Sequence, residues 1–281
     1  MSHRQFVTCF SYSFRSLIHV AGMSSTRSPN MFLVDFELPA VQHKNSLAEA
    51  HAPKQNQILA ALPPKVCERL LPNLKLVSLK PGMTLHDASS LLRHVYFPID
   101  AVISLLEITC HGTPAEIAMI GNEGMAGIFW SLGGKSMPSR IVVQRAGYAY
   151  RLDVNALERE LAFGNPLQQA LLRYTQALNA MILRGITCRQ EHSLEQQLCR
   201  WLLSRLDRAP AGDFPVPLEV AANMLGVHRE NATEAAARLQ ADGTISINGG
   251  NLTVPDRSRL EARTCNCHAL IKQGFEQALS T

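Results

Sequence analysis

A chain of 281 residues has room for two ordinary domains and a tail, each domain large enough to bury a core of its own. Its 27 Lys and Arg against 23 Asp and Glu leave a formal charge of +4, too mild to mark an electrostatically driven nucleic-acid binder by itself. Seven cysteines, at Cys9, Cys67, Cys110, Cys188, Cys199, Cys265 and Cys267, follow no regular framework, which speaks against a secreted disulfide scaffold and for a reducing compartment. No apolar run approaches the roughly 18 residues of a membrane span, so a soluble, cytoplasmic protein without a membrane partner is expected.

The N-terminal stretch carries Arg4, Arg15 and Arg27 and no acidic residue before Asp35. That superficially suits a targeting peptide, but a disordered extension over residues 1–55 is the simpler reading, with Met23 or Met31 as an alternative start. From Gln57 to Leu71 a helix is expected, with Ile58, Leu62, Val66 and Leu70 on one face and a stop at Pro72.

Strand signals follow. Leu74 to Leu79 alternates and ends at Pro81-Gly82, and further strands are expected at Val95–Ile99, Ala101–Thr109, Ala115–Ile120, Ser139–Gln144 and Tyr148–Leu152. Glycine-containing turns separate several of them, among them Gly121-Asn-Glu-Gly124 and Gly133-Gly134. Short strands with regular turns read as a β-roll or jelly roll, assigned here as a sensor domain over residues 56–163. His86, His94 and His111 lie in or beside it, but no His-x-His pair occurs to converge on a metal.

Asp153 is placed to cap a helix to Leu161, and Asn165-Pro166 to start a long one over residues 164–190. Leu167, Leu171, Tyr174, Leu178 and Met181 recur at spacings of four and three, and Gly185 and Cys188 continue the register. This stripe suits pairing with a twin helix; it equally suits packing on the chain's own β-roll. Ser193 with Gln196 forms a capping-box pattern for the next helix, whose buried face is Leu194, Leu198, Trp201, Leu202 and Leu206.

The most specific stretch runs from Pro217 to Val254. A two-turn helix from Leu218 to Leu225, a turn at Gly226-Val227 and a second helix from Arg229 to Asp242 form a helix-turn-helix. Small Ala222 allows the two helices to cross closely, and Gly226 can take the strained turn. Two short strands around Asn248-Gly-Gly-Asn251 supply a hairpin wing. Together with helix-turn-helix proteins' habit of reading two half-sites as dimers, this favours the homodimer reading of the stripe. On the second helix Arg229, Glu230, Thr233 and Glu234 form the exposed reading face. Arg229 suits a guanine edge and Glu230 a cytosine amino group, while His228 and Asn231 sit beside phosphate or an adjacent base.

This order of β-roll, long helix, helix-turn-helix and wing resembles the Crp/Fnr family of bacterial transcription regulators over about Gln57 to Leu270. The pieces that carry it are Met224-Leu-Gly-Val-His-Arg-Glu-Asn-Ala-Thr-Glu-Ala-Ala, the Gly243 to Asp256 wing and Leu260-Glu-Ala-Arg-Thr-Cys-Asn-Cys-His. The resemblance implies an α+β chain with a cyclic-nucleotide-binding-like β-roll, a dimerisation helix and a winged helix-turn-helix over 191–270, followed by a tail over 271–281. It also implies promoter DNA, RNA polymerase and a small-molecule effector as partners.

Three departures bound the carry-over. Gly121-Asn-Glu-Gly124 and Arg140-Ile141 only approximate the family's cyclic-phosphate cradle, so Gly121, Glu123, Gly124 and Arg140 are kept as an effector pocket for something other than cAMP. The N-terminal cysteine cluster of the iron–sulfur members is missing, and Cys265-Asn-Cys267-His268 lacks a partner group, so no cofactor and no metal are expected. Residues 189–263 hold nine Arg, no Lys and ten acidic residues, a poor balance for phosphate neutralisation. An interaction module with weakened DNA binding is therefore the alternative. An enzyme is not expected, because no nucleophile–base pair, phosphate loop or metal-ligand spacing is visible.

Overall fold

The computed structural model describes residues 51–88, 90–108, 112–134, 139–209 and 215–280. The extension expected over 1–55 thus lies outside the described residues up to residue 50, as do His111 and Cys110. Residues 51–55, however, belong to the folded body. His51 stacks on Tyr148 with ring centroids 4.1 Å apart, and Tyr150 donates its hydroxyl to the His51 carbonyl at 2.8 Å.

Asn56 opens the first helix and ties it to the rest. Its side-chain oxygen accepts from the Ile58 and Leu59 N–H groups, and its amide donates to the carbonyls of Pro98 and Gly124 at 3.0 and 2.9 Å. The single helix expected over 57–71 is two, α1 (Gln57–Ala60) and α2 (Pro64–Leu70). Pro63 takes an extended conformation as the N-cap of α2 and Pro64 starts the new helix, where its missing N–H costs nothing. Ile58, Leu62, Val66 and Leu70 are nevertheless all buried, because the break preserves the apolar face.

Seven strands then build two antiparallel sheets, β1 (Lys75–Leu79), β2 (Thr84–His86), β3 (His94–Pro98), β4 (Val102–Ile108), β5 (Pro114–Ile120), β6 (Arg140–Arg145) and β7 (Gly147–Asp153). One sheet has the order β1-β7-β3 and the other β2-β6-β4-β5. Only β2 escapes the sequence reading, being three residues long with a register shift against β6. Phe97, Ile103, Met125, Ile141 and Leu152 are essentially fully buried in the core, each contributing about 1.5–3 kcal/mol by burial.

Asp153 accepts from the Asn155 N–H and starts α3 (Val154–Ala162), where buried Glu160 takes two bonds from Arg69 Nε at 2.9 and 3.1 Å. The long helix α4 (Asn165–Glu191) follows, about 40 Å at 1.5 Å per residue. Its helical span begins at Asn165, with Gly164 as the N-cap at φ 112°. Leu167, Leu171, Tyr174, Leu178 and Met181, expected at a dimer seam, are all buried within the chain itself. The stripe favoured as a homodimer seam is instead packed inside the protomer, against the β-roll and the C-terminal helix. The large apolar residues exposed on α4 are Leu172, Leu183 and Ile186.

After α4 come α5 (Leu194–Asp207), β8 (Val216–Pro217), α6 (Leu218–Leu225), α7 (Arg229–Ala241), β9 (Ser246–Asn248), β10 (Asn251–Thr253), α8 (Arg257–Arg263) and α9 (Cys267–Leu279). The Ser193–Gln196 capping box is present at the start of α5. Residues 271–280, expected as part of a tail, lie largely in α9. Ile271, Phe275 and Leu279 recur every four residues and pack against the core, with Phe275 6% exposed and its ring 6.1 Å from that of Tyr174. Arg173 on α4 also donates to the Ala278 carbonyl at 3.1 Å. No helix among the described residues is long and apolar enough to cross a membrane.

Candidate nucleic-acid interface and domain junction

The turn between α6 and α7 is set by one glycine. Gly226 adopts φ 69° and bonds to the Asn223 carbonyl, while the Val227 N–H reaches back to Ala222, the two bonds that close a helix with a left-handed residue. His228 is then extended, and its carbonyl accepts from the Ala232 N–H to start α7. Ala221, Ala222, Ala232, Ala235 and Ala236 are at most 1% exposed, so small side chains set how closely α6 and α7 pack.

That inward packing of alanines fixes what faces out. His228, Arg229, Glu230, Asn231, Thr233 and Glu234 are all exposed on one end of α7. Thr233 donates to the Arg229 carbonyl at 2.8 Å, and Glu234 accepts from Arg238 at 2.6 Å. Beside them β9 and β10 pair around Gly249 (φ 57°) and Gly250 (φ 80°), left-handed angles that a two-residue hairpin turn requires.

Most cations of this domain are already neutralised. Arg238 is bonded to Glu195 as well as Glu234, Arg257 to Asp207 and Glu261, and Arg263 to Asp242, while Arg259 stands 3.9 Å from Asp256. Arg229 is exposed and makes no ion pair among the described residues. It is therefore the guanidinium on the α7 face that is available to a ligand.

The helix-turn-helix is docked on the β-roll through α5 and α6, which leaves α7 outward. Trp201 on α5 donates its indole N–H to Glu116 Oε1 on β5 at 2.9 Å, and the other Glu116 oxygen accepts from Ser104. Arg208 donates to Glu123 from Nε at 2.8 Å. These contacts involve residues of the expected effector pocket. Glu123 is consumed by Arg208 and by the Gly121 N–H. Gly121 and Gly124 are glycine because a Cβ there would fall 2.7 Å from Arg208 Cγ and 2.3 Å from the Tyr174 hydroxyl. Arg140 lies apart on β6, opposite Leu106 and 3.9 Å from Asp87. Close packing against Arg208 and Tyr174 is by itself enough to require glycine at both positions. A cavity of about 280 Å³ does lie at the junction, bordered by Met119, Met181, Arg189, Arg200 and Trp201.

A second group of side chains converges where α4 ends. Cys188, His192, Cys265 and Cys267 place their sulfur and ring-nitrogen atoms within 4.8 Å of one another. Burial raises the Cys188 thiol, and burial with the neighbouring Cys265 and Cys188 thiols pushes Cys267 up to about 12. His268, the fourth member of the dense sequence group, turns away to Asp207 at 2.7 Å. The sequence reading missed this cluster because its two halves are 77 residues apart at Cys188 and Cys265; the signal present was the one-turn spacing of Cys188 and His192.

Comparison with known proteins agrees with this architecture. Residues 196–263 match the model of the Crp-like helix-turn-helix domain. Among solved structures, a transcriptional regulator of the Crp/Fnr family from Eubacterium rectale superposes with a TM-score of 0.61 at 17% identity, covering 76% of this chain and 98% of its own. FixK2 from Bradyrhizobium japonicum gives 0.53 at 14% identity, covering 68% and 98%. The c-di-GMP-responsive global regulator CLP of Xanthomonas campestris gives 0.52 at 15% identity, covering 68% and 98%. No curated protein matches the chain by sequence. The chain thus carries a Crp-like helix-turn-helix domain over residues 196–263 and has the fold of these regulators.

Proposed function

We propose that this protein is a sequence-specific, DNA-binding transcription regulator that acts as a homodimer in the cytoplasm. Residues 56–163 serve as the effector domain, 164–190 as the helix that pairs the protomers, and 191–270 as the DNA-binding domain. The observation that carries the reading is the outward face of α7, where Arg229 is exposed and unpaired beside Glu230, Asn231 and Thr233. In a major groove, Arg229 and Glu230 read base edges, Thr233 and Glu234 lie on the same face, and His228 and Asn231 contact the backbone. The first N–H groups of α7 favour a phosphate.

Pairing is assigned to the outer face of α4, at Leu172, Leu183 and Ile186, because the stripe first considered is occupied inside the protomer. A small-molecule effector that entered the junction cavity between β5, α4, α5 and α6 would bias how the DNA-binding domain sits, and with it promoter occupancy and contact with RNA polymerase. Small-molecule response is known by name for the Xanthomonas relative, and the ligand here is a different question.

The second reading, an interaction module with weakened DNA binding, is favoured by the neutralised arginines and the acidic balance of residues 189–263. Electrophoretic mobility shift with the DNA upstream of the protein's own gene and with selected genomic fragments separates the two. A regulator shifts specific fragments at low salt and loses the shift in Arg229→Ala. Absence of any specific shift at low salt overturns DNA reading and leaves the interaction module.

A further inference from the structure

The cysteine and histidine side chains at the end of α4 are arranged as a ligand set. Cys188 lies in the last turn of α4, and His192, four residues on, is the extended C-cap whose N–H still bonds to the Cys188 carbonyl. Cys265 and Cys267 arrive from the turn into α9. Cys188 Sγ lies 3.6 Å from Cys265 Sγ, and Cys267 Sγ lies 3.8 Å from His192 Nδ1. A tetrahedral zinc ion, with bonds of about 2.3 Å to sulfur and 2.0 Å to nitrogen, needs ligand atoms spaced by about 3.5–3.8 Å. Every pair in the cluster is within 4.8 Å, so movements of an ångström or less complete the geometry.

Three features beyond proximity point the same way. The three sulfurs are buried, with Cys188 0%, Cys265 4% and Cys267 2% exposed, as in a closed structural site. His192 is held at its backbone from both sides, its N–H on the Cys188 carbonyl and its own carbonyl accepting from Gln197 at 2.9 Å. Two buried donor atoms nearby have no hydrogen-bond partner among the described residues, Thr264 Oγ1 next to Cys265 in sequence and Nε of Arg200, whose guanidinium stands beside Cys188. Donors around metal-bound thiolates are the usual outer layer of such sites. Three thiolates and one imidazole on a divalent ion carry one net negative charge, and Arg200 is the complementary cation.

We propose that Cys188, His192, Cys265 and Cys267 bind one Zn²⁺ per protomer in a closed tetrahedral Cys₃His site that ties the end of α4 to the start of α9. Binding replaces the three thiol protons by the metal and releases them, so no oxidant or reductant is involved. A disulfide between Cys188 and Cys265 would use only two of the four groups and give no role to Cys267 or His192. The close spacing suits a single ion and not a multi-iron cluster. Occupied, the site clamps the helix that carries the protomer contact to the far side of the DNA-binding domain. It does not depend on DNA reading, so either proposal can fail alone.

The test uses the full chain purified without chelator. Elemental analysis by mass spectrometry is expected to find about one zinc per protomer. Cys188→Ser, Cys267→Ser and His192→Ala should each weaken zinc retention against a competing chelator by more than about a hundredfold, the upper end of what loss of an outer partner costs. Cys67→Ser and Cys199→Ser should retain it. Co²⁺ in place of zinc should give the intense visible absorption of a tetrahedral ion with thiolate charge transfer. His192→Cys, which keeps four ligands if a cysteine variant fails to fold, should preserve that absorption with a shifted band. The proposal is overturned by substoichiometric zinc together with a weak, octahedral Co²⁺ spectrum, by Co²⁺ bands that survive Cys188→Ser unchanged, or by a Cys188–Cys265 disulfide in freshly purified protein.

Discussion

Glu123 on the turn after β5 and Arg208 at the end of α5 form an ion pair across the junction, 2.7 Å apart and with side chains only 11% and 8% exposed. Because each charge is stripped of most of its water, removing one partner strands the other. Arg208→Ala is expected to lower stability by about 3–5 kcal/mol in urea unfolding. Replacing both together, Glu123→Leu with Arg208→Met, should recover most of that loss, since no buried charge remains. A single Arg208→Ala change within about 1 kcal/mol of the parent would mean that water reaches the pair.

Gly124 makes a similar point by steric means. Any Cβ at this position falls within 2.7 Å of three atoms at the phenol end of Tyr174 on α4, a side chain fully buried between the β-roll and α9. Gly124→Ala is expected to cost about 1–3 kcal/mol, measured as a loss of thermal stability. Tyr174→Phe should recover only part of it, because the ring carbon bearing the hydroxyl is itself 2.6 Å away.

The contrast between these contacts and the helix-turn-helix explains what could be read from the sequence. The Gly226 turn, the Ser193 capping box and the Asn248–Asn251 hairpin are specified by residues within a few positions of one another, and local chemistry suffices. The long helix is different. Its period shows that Leu171, Tyr174 and Leu178 are buried, but periodicity names no partner, and here the partner is the same chain. Glu123 meeting Arg208, and Cys188 meeting Cys265, depend on tertiary approach across 85 and 77 residues, for which a single sequence carries no signal. The α9 stripe of Ile271, Phe275 and Leu279 was legible in principle and lay beyond the range of the resemblance.

Asp207 supplies a pH dependence. Burial alone would raise its carboxyl, but hydrogen bonds from His268 and Arg257 outweigh that and hold it at about 2. A folded value below the unfolded one gives stability that is present above about pH 4 and is lost as the pH falls towards 2. Partial solvent exposure limits the contribution to about 1–2 kcal/mol. Asp207→Asn should therefore lower stability at pH 7 and flatten the acid limb between pH 4 and 2 in urea titrations. An acid limb identical to that of the parent would assign acid sensitivity to other carboxylates.

In the proposed dimer, the outer face of α4 carries the protomer contact. Leu172, Leu183 and Ile186 are 51%, 64% and 49% exposed on a helix whose opposite apolar stripe is already packed against the β-roll and α9. Gln176 and Asn179 fall between them on the same four-and-three spacing, the polar positions that set register in paired helices. In a two-fold contact each residue is used twice. Leu183→Glu, placing a carboxylate there in both protomers, should thus cost about 3 kcal/mol or more, roughly a hundredfold or greater weakening of dimerisation. Sedimentation equilibrium should then find monomers with an unchanged circular dichroism spectrum. Leu178→Glu, on the inward face at 2% exposure, should instead unfold the chain at any concentration. A Leu183→Glu protein that sediments as a dimer like its parent would place the protomer contact elsewhere.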